Sequence, residues 1–252
     1  MGDADLDGMF ITAAAPTRSL RTAPLEGGGR LLLVGGEGHA VGDAPPSPRP
    51  YEVLERFMRD HFDVGEVGYR WSTQDNYTVD GLPYVGEVPG AAGIYAATGF
   101  GGWGMSNGTL SAMLLADTVQ RLENPWSGVY ALERRSVGAS ARRFLSENTR
   151  IANRQLRGSR SSHTDMKSLT AGEGAIVSIE GEKAAITRDA NGELIAVSAS
   201  CTHMGCTVAW NDAESTWDCP CHGSRFAHDG SVLHGPATEA LERIELAMTA
   251  EP

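Results

Sequence analysis

No apolar run in these 252 residues reaches the length of about 18 that a membrane-crossing helix needs, so the sequence offers no candidate span. Positive charge is scarce: 21 Lys and Arg stand against 32 Asp and Glu, and the net charge of −11 argues against nucleic acid as a partner. The opening Met-Gly-Asp-Ala-Asp-Leu-Asp lacks the basic and apolar regions of a signal peptide, which points to the cytoplasm. Cysteine is absent before Cys201 and after Cys221, so any thiolate-ligated centre must be built from the four residues in that stretch. The hydrophobic share of 41% fits a globular chain of one or two domains.

The cysteine segment reads Cys201-Thr-His203-Met-Gly-Cys206 and then Cys219-Pro-Cys221-His222-Gly-Ser224. It contains two half-sites, Cys-x-His and Cys-x-x-His, each offering one thiolate and one imidazole. Two such pairs can hold a [2Fe–2S] cluster asymmetrically, with the cysteines on one iron and the histidines on the other. Zinc takes the same ligand types, so a Cys2His2 zinc site is the rival. Zinc fingers, however, pair like with like, and zinc leaves Cys206 and Cys221 without a role.

These two motifs resemble the cluster loops of a Rieske iron–sulfur domain, most closely the cytochrome bc-type with an extra cysteine in each loop. The resemblance implies that Cys201, His203, Cys219 and His222 ligate the cluster and that Cys206 and Cys221 form a disulfide across the loops. Gly205 and Gly223 suit tight turns against cluster sulfur. Ser224 stands where the family uses a hydroxyl to hydrogen-bond a bridging sulfide. Phe226 stands where high-potential members have a tyrosine donor, so the potential is expected to fall below the top of the bc-type range. Gly235-Pro236-Ala237 resembles the proline loop that shields the cluster.

Around the loops the pattern predicts a small β domain over residues 172–252. Short apolar runs at 175–179, 183–187 and 194–197 are separated by a Glu-Gly-Glu turn and by Asp189-Ala-Asn191-Gly192, a hairpin signal. Further runs at 225–227 and 231–233 flank His228-Asp229-Gly230, and residues 241–248 close the set. The eight arginines Arg134, Arg135, Arg142, Arg143, Arg150, Arg154, Arg157 and Arg160 read as a solvated helical linker over 131–171 rather than a docking surface for an acidic redox partner.

The first 130 residues differ in texture. Residues 10–13, 31–35 and 67–71 are strand-like, and Val53, Leu54, Phe57, Met58 and Phe62 recur at helical spacing over 50–62. Gly99, Gly101 and Gly104 spell G-x-G-x-x-G between a predicted strand at 94–98 and a helix. The dinucleotide reading of that motif is rejected: no second parallel strand follows, and a turn at 123–126 stands where a ribose-binding carboxylate belongs.

The region instead resembles the end of the flavin domain of D-amino-acid-oxidase-like, FAD-dependent oxidoreductases. The residues that carry the likeness are Asp80-Gly-Leu-Pro83, Ala97-Thr-Gly-Phe-Gly-Gly-Trp-Gly-Met105, Arg18-Ser-Leu-Arg21, Gly35-Gly-Glu37-Gly-His39 and Glu123-Asn-Pro-Trp126. It implies that Gly99, Gly101, Gly102, Trp103, Gly104, Met105 and Ser106 lie by the flavin, where free amides and a helix N-terminus favour anionic charge. The family's first βαβ unit is missing before Met1. FAD binding therefore calls for an N-terminal part outside this sequence, whether the chain is a fragment, a mis-called start or half of a split protein.

The expected fold class is thus an α+β remnant of a flavoprotein oxidoreductase over 1–130, the Arg-rich linker, and an all-β Rieske domain. The expected function is electron transfer through the cluster, with flavin oxidising an amine- or amino-acid-like substrate and a redox protein or the flavin half as partner. The alternative is a non-catalytic carrier on a vestigial flavoprotein fragment. The substrate itself is not legible.

Overall fold

The computed structural model describes residues 6–41, 49–134 and 166–246, together with 145, 146, 148, 149 and 151. The chain divides into two compact units, Met1–Ser72 with Arg154–Pro252, and Thr73–Asn153.

In the first unit the N-terminal portion is an antiparallel meander of β1 (Phe10–Ile11), β2 (Arg18–Pro24) and β3 (Arg30–Gly36). Helix α1 (Pro50–His61) starts at a proline, and Glu52 reaches back to the Arg49 N–H at 3.3 Å, closing the first turn. Its Val53, Leu54, Phe57 and Met58 are half-buried, the face that the helical spacing predicts. A Cβ on Gly36 would lie 3.2 Å from Leu54 Cδ2, so β3 and α1 approach through a residue without a side chain. Buried Arg18 pairs with Glu37 and stacks over Phe57, 5.3 Å from its centroid. The strand expected over 67–71 does not form. Gly68 interrupts it, no described strand offers its backbone a partner, and Tyr69 and Trp71 stay exposed.

The C-terminal portion of this unit, among the described residues, is all β apart from one turn of 3-10 helix at Met166–Ser168. Strands β6 (Gly174–Ile179), β7 (Glu182–Arg188) and β8 (Leu194–Ser198) form one sheet in that order. Glu180 and Gly181 both take positive φ, 51° and 91°, as the two-residue β6–β7 turn requires. Strands β9 (Ala209–Asn211), β10 (Thr216–Asp218), β11 (Arg225–Ala227) and β12 (Val232–His234) form a second sheet in the order β12-β11-β10-β9. The fully buried Ile186, Val197, Trp217 and Phe226 supply the core. Trp210 of β9 packs directly on β6: a Cβ on Gly174 would fall 2.4 Å from its ring. The strand expected over 241–248 is reduced to one bridge, Val197 to Arg243, with Ser198 donating to the Glu242 carbonyl and Ile244 to that of Ala196. Residues 247 and 248 lie outside the described residues.

The second unit pairs β4 (Tyr84–Glu87) antiparallel with β5 (Tyr95–Thr98), followed by α2 (Gly104–Gln120) and the short α3 (Ser127–Tyr130). Pro83, Val85 and Leu114 are buried apolar side chains of this unit. Arg134, expected as one of the solvated linker arginines, is an anchor instead. Its side chain is 8% exposed, grips Asp80 with Nε and Nη2 at 2.7 and 2.8 Å, and donates to the carbonyls of Leu82, Pro83 and Tyr130. Hydrogen bonding to Asp80 raises its pKa above the ordinary arginine value, against the opposing effect of burial. A buried carboxylate two residues before Leu82 is what draws this arginine out of water. The remaining seven arginines of that stretch lie outside the described residues.

Candidate metal centre

The two cysteine motifs occupy the loops that leave β8 and β10, and the backbone closes both in the same way. In the first, Cys201 N–H donates to the Cys206 carbonyl at 2.9 Å and Gly205 N–H returns to Cys201 O at 2.8 Å. In the second, Cys219 N–H donates to Ser224 O at 2.7 Å and Gly223 N–H returns to Cys219 O at 3.0 Å. The returning glycines have φ of 72° and 82°, a conformation side chains rarely adopt, which is why glycine recurs four positions after each cysteine.

Cys206 and Cys221 are joined in a disulfide, which leaves Cys201 and Cys219 as buried free thiols. The Sγ atoms of Cys206, Cys219 and Cys221 lie within 4.8 Å of one another, but the bonded pair has no thiolate to offer a metal. The ligand-capable atoms are thus the two free thiols, within hydrogen-bonding reach of each other, and the His203 and His222 rings. Those rings meet edge to face with centroids 5.0 Å apart. Both free cysteines are buried and both histidines are exposed, so the thiols are dry and the imidazole rings wet.

Burial pushes the Cys219 thiol up to about 11, and the N–H groups of Cys221 and His222, aimed at its sulfur, pull the other way. The Cys201 thiol beside it raises it further. His222 is shifted down by burial and then by its electrostatic interaction with the neighbouring His203 ring. Amide donors aimed at a buried sulfur suit a thiolate whose charge a metal compensates, and unprotonated imidazoles suit metal ligation. The donor set therefore fits an iron–sulfur cluster.

Segment 235–239 is held by both loops. Ser224 Oγ, fully buried, accepts the Ala237 N–H at 3.0 Å, which leaves its own proton free to donate elsewhere. Thr202 Oγ1 donates to Glu239 O at 2.7 Å. Sequence reasoning missed Thr202, whose role no local pattern signals. It also missed Asp218 and Arg225, which flank the second loop as opposite charges and pair at 3.0 Å across its base. Phe226 is fully buried opposite Trp217, and Pro236 is exposed.

Comparison with known proteins decides between iron–sulfur and zinc. Residues 162–245 match the Rieske [2Fe-2S] domain. This part of the chain is a Rieske domain. Residues 5–118 match the FAD dependent oxidoreductase family, so the chain joins a Rieske electron-transfer domain, which implies a [2Fe–2S] cluster, to a flavoprotein region. YhfW of Bacillus subtilis (strain 168), described as a Rieske 2Fe-2S iron-sulfur protein, is 36% identical over 95% of this chain. The alignment takes in 47% of that protein, so this chain spans about half the relative's length. The cytochrome b6-f complex iron-sulfur subunit 3 of Nostoc sp. (strain PCC 7120) is 51% identical over 19% of this chain and 28% of its own. The crystal structure of the cyanobacterial plasma membrane Rieske protein PetC3 from Synechocystis is 37% identical, covering 28% of this chain and 72% of that one, with a TM-score of 0.27.

In the second unit, the residues singled out for flavin contact lie on one turn. Gly99, Gly101 and Gly102 have φ of 80°, 57° and 83°, and Gly101 N–H donates to Asn76 O at 3.2 Å. Trp103, Gly104, Met105 and Ser106 are exposed at the start of α2, which has no side-chain cap and no acidic residue in its first turn. The strand before this turn pairs antiparallel, unlike a dinucleotide-binding βαβ unit. No helix among the described residues is long and apolar enough to cross a membrane.

Proposed function

We propose that this chain is the electron-relaying part of a flavin-dependent oxidoreductase. Cys201 and Cys219 hold one iron of a [2Fe–2S] cluster, and His203 and His222 hold the other. The observation that carries the reading is the presence of a Rieske domain and an FAD-dependent oxidoreductase region in one chain. A Rieske cluster supplies one-electron transfer at a potential raised by its neutral imidazole ligands. Here the chain's residues hold the thiolates out of water, aim amides at Cys219, and leave both histidine rings at the surface, where a redox partner protein can approach them.

For the flavin, the backbone amides of Gly104, Met105 and Ser106 at the uncapped start of α2 favour negative charge on the reduced ring. The substrate class is an amine or amino acid, whose two electrons flavin takes together and the cluster passes on singly. The domain division proposed is a flavoprotein region over 1–130, a linker over 131–171 and the Rieske domain over 172–252.

Anaerobic mixing of the purified chain, combined with the N-terminal flavin-binding part that FAD binding calls for, with a panel of amines and amino acids tests this. A flavin band alongside the cluster bands, and bleaching of the oxidised cluster by a member of the panel, is the expected result. Cluster bands without flavin, unmoved by every substrate, would leave the chain as a carrier.

A further inference from the structure

Arg225 follows the second cysteine loop immediately, and its guanidinium faces two ways. Nε pairs with Asp218 Oδ1 at 3.0 Å and Nη2 donates to Thr216 Oγ1 at 3.2 Å, both within the Rieske sheet. Nη1 leaves the sheet and donates to Ser72 Oγ at 3.2 Å. Asp218, 4% exposed, also accepts from Thr216 Oγ1 and from Asn211 Nδ2, each at 2.8 Å. Asn211 in turn accepts the N–H groups of Ala213 and Glu214, shaping the β9–β10 turn. From that turn Glu214 accepts a hydrogen bond from the hydroxyl of Tyr51, in the first turn of α1, and Tyr51 is also hydrogen-bonded to Ser72.

One continuous network thus runs from helix α1 and Ser72, both within the flavoprotein match, to the base of the loop bearing Cys219 and His222. Exposed ion pairs are worth little, and the network is exposed where Arg225 meets Ser72, but at its centre the Asp218 and Arg225 side chains are 6% and 13% accessible. Tyr51 is half-buried, and burial, followed by Glu214, pushes its pKa up to about 12, so the phenol stays a donor at neutral pH.

We propose that Tyr51 and Ser72 are positioning residues for the second cluster loop, which hold the Rieske domain docked on residues 49–72 through Glu214 and Arg225. The docked domain is then a fixed relay, not a head swinging on a tether. This rests on the reading of Cys219 and His222 as cluster ligands.

The test uses the full chain with its cluster and compares Y51F, S72A and their double variant with R59A, which breaks only the exposed Arg59–Glu55 pair on α1. Hydrogen exchange of α1 and of residues 219–224 is followed together with the cluster's reduction potential and electron paramagnetic resonance line shape. Losing the Tyr51 bond should speed exchange in both segments by about tenfold, the factor that follows from a bond worth roughly 1.4 kcal/mol. The line shape or potential should move in Y51F and stay fixed in R59A. Faster exchange confined to α1, or in neither segment, would overturn the proposal. Iron and sulfide content of the wild-type protein independently reports whether the ligand reading has failed, and the exchange comparison stands either way. E214Q, which keeps an acceptor for Tyr51, should restore most of the protection that E214A loses.

Discussion

Opening the link between the two cysteine loops is the perturbation whose size the structure defines best. Replacing Cys206 and Cys221 by alanine removes a cross-link with a sequence separation of 15. Releasing a loop of that length returns about 3 kcal/mol of conformational freedom to the unfolded chain. Cys206 and Cys221 are 3% and 8% exposed, so the lost packing adds to the cost. A urea slope near 1 kcal/mol per molar, ordinary for a small domain, turns this into a midpoint lower by roughly 3 M. The assay is urea unfolding of the full chain followed by near-ultraviolet circular dichroism. The Trp210 and Trp217 rings, 4.8 Å apart across β9 and β10, report this sheet specifically. Visible absorbance of the same samples follows cluster loss, which should precede unfolding in the variant and coincide with it in the wild type. A midpoint shift below about 0.5 M, with the cluster retained, would refute the view that the disulfide braces the loops.

Three other outcomes are expected. Phe226→Tyr should raise the cluster potential within the Rieske range of about −150 to +300 mV with little loss of stability; an unmoved potential with a loss of about 1–3 kcal/mol would mean the new hydroxyl is buried without a partner. Arg134→Met removes the cation paired with the buried Asp80 carboxylate and should destabilise the second unit by about 3–5 kcal/mol in thermal unfolding, and a loss under about 1 kcal/mol would contradict its anchoring role. The raised pKa of Tyr51 means that its contribution is complete below pH 10 and is lost as pH climbs toward about 12. Ultraviolet titration of the six tyrosines should therefore show a late-ionising member that disappears in Y51F, and an unchanged curve would contradict the burial of this phenol.

The cysteine loops were legible because ligand chemistry constrains residue type and spacing together. The same holds for Gly205 and Gly223, where the closing turn admits almost nothing but glycine. Strands β6, β7 and β8 were legible from apolar runs bounded by Glu-Gly-Glu and Asn-Gly turns. Strands β9 and β10, three residues each and rich in Trp, Asn, Thr and Asp, were not. They exist because of cross-strand pairing of Trp210 with Trp217 and the Asp218 network, neither of which has a local period. Residues 67–71 show the converse: apolar and aromatic side chains without a partner edge do not make a strand. Arg134 misled for a related reason, since composition groups it with linker arginines while a carboxylate far away in sequence claims it.

The central claim is that one cluster is held by two cysteines and two histidines. Electron–nuclear double resonance on the reduced protein, with its histidines labelled with nitrogen-15, tests it most directly. The account predicts two coupled histidine nitrogens, one lost in His203→Cys and the other in His222→Cys, with a lower potential wherever the cluster survives. Zinc in place of iron and sulfide, or nitrogen couplings that neither substitution removes, would contradict it.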